Sequence, residues 1–88
     1  MSIHTPLPDA VNAVTDSMHR FGAALRTQPG LVMTGVFKTD DGQLVGLAVW
    51  ESEEAYHAGR TAGRDVVKHD PVDFWESAET QGFAGPEV

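Results

Sequence analysis

The residues with the clearest potential for chemistry lie in one short stretch, between Trp50 and Arg64. Tyr56 and His57 are adjacent there, and an imidazole titrates near neutral pH, so His57 could act as an acid or a base if it faced a cavity. Aromatic residues at a junction between elements either belong to the core or line a site. We therefore take Trp50, Tyr56 and His57 as candidate catalytic residues, with a core role for the two aromatic residues and an exposed position for His57 as the alternatives.

A row of basic residues follows on the same predicted helix. Arg60, Arg64 and Lys68 are spaced i, i+4, i+8, so they share one helix face and make up half of the six Lys and Arg of the chain. Either they form a solvated face that complements the helix C-terminus, or they contact an anion. Arg60 and Arg64 are the possible anion contacts under the second interpretation.

The segment before this helix predicts how these residues are positioned. Residues 44–50 are apolar at every position, which is typical of a strand that is covered on both faces. Two helices can cover only one face of a small sheet, so the other face requires a second sheet. The sequence therefore predicts a homodimer, built from one domain at 1–88 whose residues 84–88 form a tail.

Local signals predict the order strand, helix, strand, strand, helix and a weak last strand. Residues 6–9, with two prolines and Asp9, form a stop and a cap before the first helix, which should end near residues 28–30. Its apolar stripe consists of Val11, Val14, Met18, Phe21 and Leu25. Ser52 is placed to cap the second helix, which should reach Lys68.

Two points stay open in the second half of the chain. Gly59 and Gly63 lie inside the second helix, where each weakens it by roughly 1 kcal/mol relative to alanine. Either another group packs closely on them or the helix kinks. Residues 72–83 are compatible with a last strand or with a helical turn.

Asp41-Gly42 predicts a hairpin with a two-residue type I′ turn, in which both central positions need positive φ. Such a turn would pair Phe37 with Gly46, Gly35 with Ala48, and Met33 with Trp50. These six residues would line a hollow on one face, and Thr34, Val36, Val45, Leu47 and Val49 would lie beneath the helices. The hollow suits a flat apolar or aromatic ligand, or it lets a partner sheet approach closely. A turn with one residue more or fewer would exchange the two faces.

Composition narrows the classes of function. A net charge of −7 argues against nucleic acid as a partner, and the absence of cysteine removes disulfides and thiolate chemistry. The histidines, His4, His19, His57 and His69, show no metal-ligand spacing, and no phosphate loop or dinucleotide fingerprint is found, so we expect no metal and no cofactor. No apolar run could span a bilayer, so we expect a cytoplasmic protein without a membrane partner.

Residues 21–58 resemble the antibiotic biosynthesis monooxygenase family. The resemblance rests on Pro29-Gly30-Leu31 and on Val49-Trp50-Glu51-Ser52-Glu53-Glu54-Ala55-Tyr56. It implies an α+β fold in which a ferredoxin-like antiparallel sheet carries two helices on one face and pairs with a second copy as a dimeric α+β barrel. The first strand, within residues 2–7, is shorter than the one with which the family normally begins.

The resemblance also implies a reaction. Cofactor-independent oxygenases of this family deprotonate a polycyclic phenol or anthrone, whose carbanion reduces dioxygen before the peroxide collapses to a quinone. Their motif tryptophan and tyrosine correspond to Trp50 and Tyr56. Their asparagine, four residues before the tryptophan, corresponds to Gly46, and an arginine of the later helical region has only a loose counterpart in Arg64.

Three functions are compatible with these observations. The leading one is a small monooxygenase-like enzyme that acts on an aromatic, polyketide-type compound without a cofactor. The second is a non-catalytic dimeric binding or accessory protein, which Gly46 in place of the asparagine favours. The third is a polyketide cyclase of the same fold with His4 or His57 as its base. A haem-degrading relative would match only at His69.

Overall fold

The computed structural model describes residues 1–87 and has an α+β fold with a four-stranded antiparallel sheet. The elements are β1 (Ser2–His4), α1 (Val11–Leu25), β2 (Leu31–Lys38), β3 (Leu44–Trp50), α2 (Glu53–Val67), α3 (Val72–Trp75) and β4 (Gln81–Gly82). The strand order β2-β3-β1-β4 gives the ferredoxin-like topology that the sequence predicts. The last residue of the predicted tail, Val88, lies outside the described residues. Within residues 1–87, no helix has the length and apolar character needed to cross a membrane.

The hairpin between β2 and β3 turns through three residues, Asp40, Asp41 and Gly42, rather than two. The Thr39 N–H donates to the Gln43 carbonyl at 2.8 Å, and the Gly42 N–H donates to the Thr39 carbonyl at 3.1 Å. Gly42 has a φ of 86°, whereas Asp41 does not adopt positive φ. A type I′ turn needs positive φ at both positions, so the chain forms a longer loop that ends in the left-handed glycine.

This loop shifts the register by one residue, and the predicted pairing was wrong. Val36 pairs with Gly46, and Thr34 pairs with Ala48. Side chains alternate between the faces of a strand, so the shift exchanges the face of every residue on one strand relative to the other.

The sheet therefore has an inner face, toward the helices, and an outer face. The inner face carries Ser2, His4, Thr34, Val36, Leu44, Gly46, Ala48 and Trp50, and the outer face carries Ile3, Met33, Gly35, Phe37, Val45, Leu47 and Val49. The predicted hollow is thus divided, because Met33 and Phe37 point away from Gly46 and Ala48. On the outer face the Phe37 ring lies against Gly35, within 3.0 Å of the position that a Cβ would take there.

Helix α1 packs on the inner face through the predicted apolar stripe, of which Val14, Met18 and Leu25 are buried. Val14 and Met18 form a core cluster with Leu44. The start of this helix differs from the prediction, since the N-cap residue is Ala10 and no side chain caps it. The helix ends at Leu25, and the N–H groups of Thr27 and Gln28 close two tighter turns before Pro29.

Helix α2 begins as predicted, because the Ser52 Oγ accepts a hydrogen bond from the Ala55 N–H at 3.1 Å. Its two glycines are explained by close packing. A Cβ on Gly59 would lie 2.0 Å from the Trp50 ring, and a Cβ on Gly63 would lie 2.7 Å from the Phe21 ring. These rings occupy the space that larger residues would fill.

The segment after α2 forms a helical turn and a short strand. Helix α3 covers Val72–Trp75, and Trp75 packs against the core cluster. Strand β4 has two residues and pairs with β1, which brings residues 76–82 alongside the start of the chain.

Candidate functional site

A cavity of about 730 Å³ lies between the inner face of the sheet and the two long helices. Its aromatic and basic lining includes Phe21, Trp50, Tyr56, Arg60, Arg64 and Phe83, and its floor includes Ser2, His4, Gly46 and Ala48. Trp50 is the last residue of β3, and Tyr56 lies in the first turn of α2, so the strand-to-helix junction places both aromatic residues at the cavity. Its lining is mainly apolar with a few polar and charged groups, which is the usual character of a small-molecule site.

The structure brings together some of the predicted residues and separates others. Trp50, Tyr56, Arg60 and Arg64 line the cavity, as do Gly35, Gly46 and Ala48 through atoms of β2 and β3. Met33 and Phe37 do not line it, and their exposed fractions on the outer face are 40% and 52%. The register shift is the physical reason for this correction.

His57 does not face the cavity, contrary to the hypothesis that makes it an acid or base. Its side chain is 62% exposed, and its Nε2 lies 3.4 Å from the Glu53 carboxylate one turn earlier. The ring sits 4.9 Å from the Tyr56 ring on the outside of α2. An exposed imidazole of this kind has no access to a ligand beneath the helix.

Arg60 and Arg64 line the cavity, and their positive charges are not neutralised by an ion pair within residues 1–87. With Tyr56 they follow the i, i+4, i+8 spacing, so one stripe of α2 supplies all three. Guanidinium groups beside an apolar cavity favour a ligand that carries or develops negative charge.

Gly46 leaves room that other side chains occupy. A Cβ built on Gly46 would lie 2.9 Å from the Ser2 Oγ and 3.2 Å from the Met18 Cε. The hydroxyl comes from β1, the neighbouring strand, where Ser2 pairs with Gly46. At the position where the resembling oxygenases carry asparagine, this chain therefore presents a serine hydroxyl from the adjacent strand.

Sequence reasoning missed a partly buried hydrogen-bond network behind that hydroxyl. The His4 Nε2 lies 3.1 Å from the Ser2 Oγ, and the His4 Nδ1 lies 3.1 Å from the Glu76 Oε2. The Glu76 side chain is 3% exposed. Ser2 and His4 share a strand face at i, i+2, which was a usable signal, but Glu76 lies in the ambiguous segment 72 residues later and carried none.

A second network holds the helices over the cavity. Asp70, just beyond α2, accepts hydrogen bonds from the Ser17 Oγ at 2.6 Å and from the Arg20 Nη2 at 2.7 Å, both on α1. The hydrogen bond from Ser17, followed by that from Arg20, lowers the pKa of the Asp70 carboxyl below its usual value. The same carboxylate, together with Asp16, raises the pKa of Arg20. In the described part of the chain, no group of His, Asp and Glu side chains is arranged to hold a metal ion.

Comparisons with solved structures identify the fold of this chain. No protein-family model and no curated protein matches the chain. Solved structures do match. A provisional antibiotic biosynthesis monooxygenase from Nitrosomonas europaea is 14% identical with a TM-score of 0.70, and the match covers 96% of this chain and 93% of that one. The Rv0793 protein of Mycobacterium tuberculosis is 18% identical with a TM-score of 0.77, covering 99% and 92%.

A third match, a provisional antibiotic biosynthesis monooxygenase from Deinococcus radiodurans, is 15% identical with a TM-score of 0.68 and covers 99% of this chain and 90% of that one. The chain has the fold of these proteins. The likeness in fold covers nearly the whole chain, whereas the resemblance in sequence rests on residues 21–58. At this level of identity the likeness establishes architecture, while activity must be argued from the site.

Proposed function

We propose that this chain is a small homodimeric oxidoreductase that oxygenates an aromatic, polyketide-type compound without a bound cofactor. The observation that carries the proposal is the cavity itself, an apolar slot in which Trp50 and Tyr56 meet Arg60 and Arg64. Its volume, about 730 Å³, is within the usual range of small-molecule sites. A flat polycyclic phenol or anthrone fits both the aromatic walls and the positive charge.

In the proposed reaction the substrate supplies the electrons. Removal of a proton from the substrate gives a carbanion that reduces dioxygen, recombination forms a C–OO⁻ group, and return of the proton gives C–OOH. Loss of water from this group leaves a quinone carbonyl, so one oxygen atom enters the product and the other leaves as water. The protein needs to exclude bulk water and to stabilise the negative charge that develops on the substrate oxygen. Arg60, Arg64 and the Tyr56 hydroxyl are the groups proposed to do so.

The outer face of the sheet supports the homodimer. Large apolar side chains remain open there, with exposed fractions of 40% for Met33, 52% for Phe37 and 41% for Val49. A contiguous exposed apolar patch of this kind marks an association surface. A second copy of the same face would cover it sheet against sheet.

Oxygen consumption tests the proposal directly. The purified protein, with no added cofactor, is given a panel of hydroxyanthrones and dihydroxynaphthalenes, and uptake is compared with that of Trp50→Phe and Tyr56→Phe. We expect uptake above the spontaneous rate and a loss of about tenfold or more in Tyr56→Phe, since a preorganised donor to developing charge is worth about 100-fold or more.

A matched control is available because the chain has a second tryptophan. Trp75→Phe alters a residue that packs on the core cluster and lies outside the cavity lining, and it should retain the wild-type rate per folded molecule. Equal losses in Trp50→Phe and Trp75→Phe would show that stability, not the cavity, governs the rate.

The alternative of a non-catalytic binding protein is favoured by one observation, Gly46 in the place of the asparagine of the resembling oxygenases. Under that alternative the cavity would hold an apolar ligand that does not change with time. Mass analysis of a ligand recovered after incubation in air distinguishes the two. An unaltered ligand across the panel favours the binding protein, and an added oxygen atom favours the oxygenase.

A further inference from the structure

His4 is the histidine that the fold places at the cavity, and both of its ring nitrogens have partners. Nδ1 lies 3.1 Å from the Glu76 Oε2, Nε2 lies 3.1 Å from the Ser2 Oγ, and the side chain is 15% exposed. The register places Ser2 and His4 on the inner face, opposite Gly46 and Leu44. A partly buried imidazole with two hydrogen-bond partners has a defined proton position.

Glu76 sets that proton position. Its Oε1 accepts the Thr5 backbone N–H at 3.0 Å, and its Oε2 accepts the Thr80 hydroxyl at 2.9 Å. An ionised carboxylate only accepts hydrogen bonds, so the His4 Nδ1 must carry the hydrogen that lies between them. In the neutral imidazole the lone pair is then on Nε2, where it accepts the Ser2 hydroxyl hydrogen. The two hydrogen bonds therefore run in one direction: Ser2 donates to His4, and His4 donates to Glu76.

Ser2, the first donor of this hydrogen-bond series, lies at the cavity. The Ser2 Oγ occupies the space that a side chain at position 46 would take. Because its own hydrogen points to His4, the Ser2 Oγ has acceptor lone pairs left for a hydroxyl in the cavity. Arg60 and Arg64 line the same cavity and supply positive charge.

We infer that Ser2, His4 and Glu76 form a proton relay that deprotonates a phenolic or enolic hydroxyl bound in the cavity. The ligand hydroxyl gives its proton to the Ser2 Oγ as the serine proton passes to the His4 Nε2. Serine ends unchanged, His4 becomes an imidazolium that is paired with the Glu76 carboxylate, and the ligand becomes a phenolate or enolate. The substrate class rests on the proposed function, while the relay itself needs no oxygen.

The test uses a dihydroxyanthraquinone, a polycyclic phenol whose absorption moves to longer wavelength when it loses its proton and which is already at the quinone level. The dye is bound anaerobically at a pH at which most of the free dye is neutral. We expect the ratio of ionised to neutral dye to rise about tenfold or more on binding to the wild type. Ser2→Ala and His4→Gln should return the bound dye to the neutral spectrum, whereas His57→Gln, the matched histidine outside the cavity, should behave as the wild type.

Glu76→Gln reverses the direction of the relay without changing the size of the side chain. A glutamine amide that donates to the His4 Nδ1 moves the ring hydrogen to Nε2, where it can no longer accept from Ser2. We expect this variant to bind the dye in its neutral form. Nitrogen NMR of His4 in the unaltered protein checks the same point without any substitution, and the expected neutral tautomer has its hydrogen on Nδ1.

The outcomes separate this relay from the proposed function. Dye that binds the wild type in its neutral form, unchanged ionisation in His4→Gln, or an Nε2–H tautomer would each overturn the relay. Ionised dye together with no oxygen uptake on any anthrone would leave the relay standing and remove the oxygenase. Failure of the dye to bind in equilibrium dialysis would remove both.

Discussion

The two faces of the sheet are built from the same strands and meet different requirements. The inner face is covered by α1 and α2, holds a cavity and contains hydrogen-bonded polar side chains at Ser2 and His4. On the outer face, β2 and β3 carry only apolar residues, and Phe37 and Val49 are exposed there. The uninterrupted apolar run of β3 therefore reflects two separate demands, one for lining a cavity and one for contact with another surface.

The largest expected effect tests the outer face. Phe37→Asp places a charge in the apolar patch and should weaken the proposed dimer by about 100-fold or more, which is about 3 kcal/mol. Sedimentation equilibrium at several protein concentrations measures it. Phe74→Asp is the matched control, because that phenylalanine is 82% exposed on α3 and lies off the sheet. A wild-type protein that is a monomer at micromolar concentration would break the comparison between the faces.

The next effect tests how tightly α2 sits over the inner face. Gly59→Ala should gain about 1 kcal/mol of helix propensity, yet its Cβ would lie 2.0 Å from the Trp50 ring. We expect a net loss of about 1–3 kcal/mol in the free energy of unfolding, which is the usual cost of overpacking. Urea denaturation measures this loss, and Gly82→Ala is the control, since a Cβ there meets nothing within 4 Å. If Gly59→Ala were as stable as the wild type, the Trp50 ring would be able to move away from the new Cβ.

A smaller effect tests the turn that assigns residues to faces. Gly42 has a φ of 86°, so Gly42→Ala should cost about 1 kcal/mol or slightly more from backbone strain alone. Asp41→Gly should not stabilise the protein, because Asp41 has no positive φ to relieve. Thermal unfolding of both variants measures these differences. Stabilisation by Asp41→Gly would instead favour the two-residue turn and the exchanged faces.

The smallest effect concerns acid. Hydrogen bonds from Ser17 and Arg20 lower the pKa of Asp70, so they stabilise the fold above the unfolded-state pKa, near 4. This contribution is lost as the pH falls through the lower folded-state pKa. Asp70→Asn should lose up to about 1 kcal/mol at pH 7 and show a shallower decline toward pH 3. Urea denaturation across that range measures it.

Asp9→Asn is the matched control for this pH series, since Asp9 is exposed and caps no helix. It should follow the wild-type curve. If Asp70→Asn declined as steeply as the wild type, the link between α1 and α2 would lie elsewhere. The outer-face residues of β2 and β3 have no titratable side chain, so they contribute no pH dependence to the stability of the protein.

The sequence predicts most of the fold because its signals are local. The Ser52 cap, the apolar stripe of α1 and the order of elements depend on neighbouring residues, and the structure confirms them. The hairpin register was wrong because Asp41-Gly42 suits both a type I′ turn and a longer loop ending in a left-handed glycine. Local sequence does not distinguish the two loops, and one residue of difference exchanges the faces.

The candidate site is predictable only in part, for a related reason. Trp50 and Tyr56 lie close in sequence and meet at the cavity, as do Arg60 and Arg64 on one helix stripe. The link between His4 and Glu76 joins residues 72 positions apart and depends on how the end of the chain returns beside β1. No spacing rule predicts such a contact, whereas the position of His57 next to Tyr56 favours His57 as a base in the sequence alone.

The two glycine contacts of α2 set the angle of that helix about its own axis. With the rings of Trp50 and Phe21 seated on Gly59 and Gly63, the helix has one rotational setting, and this directs positions 56, 60 and 64 into the cavity. The packing contacts at Gly59 and Gly63 and the cavity lining at positions 56, 60 and 64 thus involve different residues of α2. Substitutions at those three positions can therefore change the chemistry of the cavity while α2 keeps its packing position. One backbone can in this way evolve to accept different ligands.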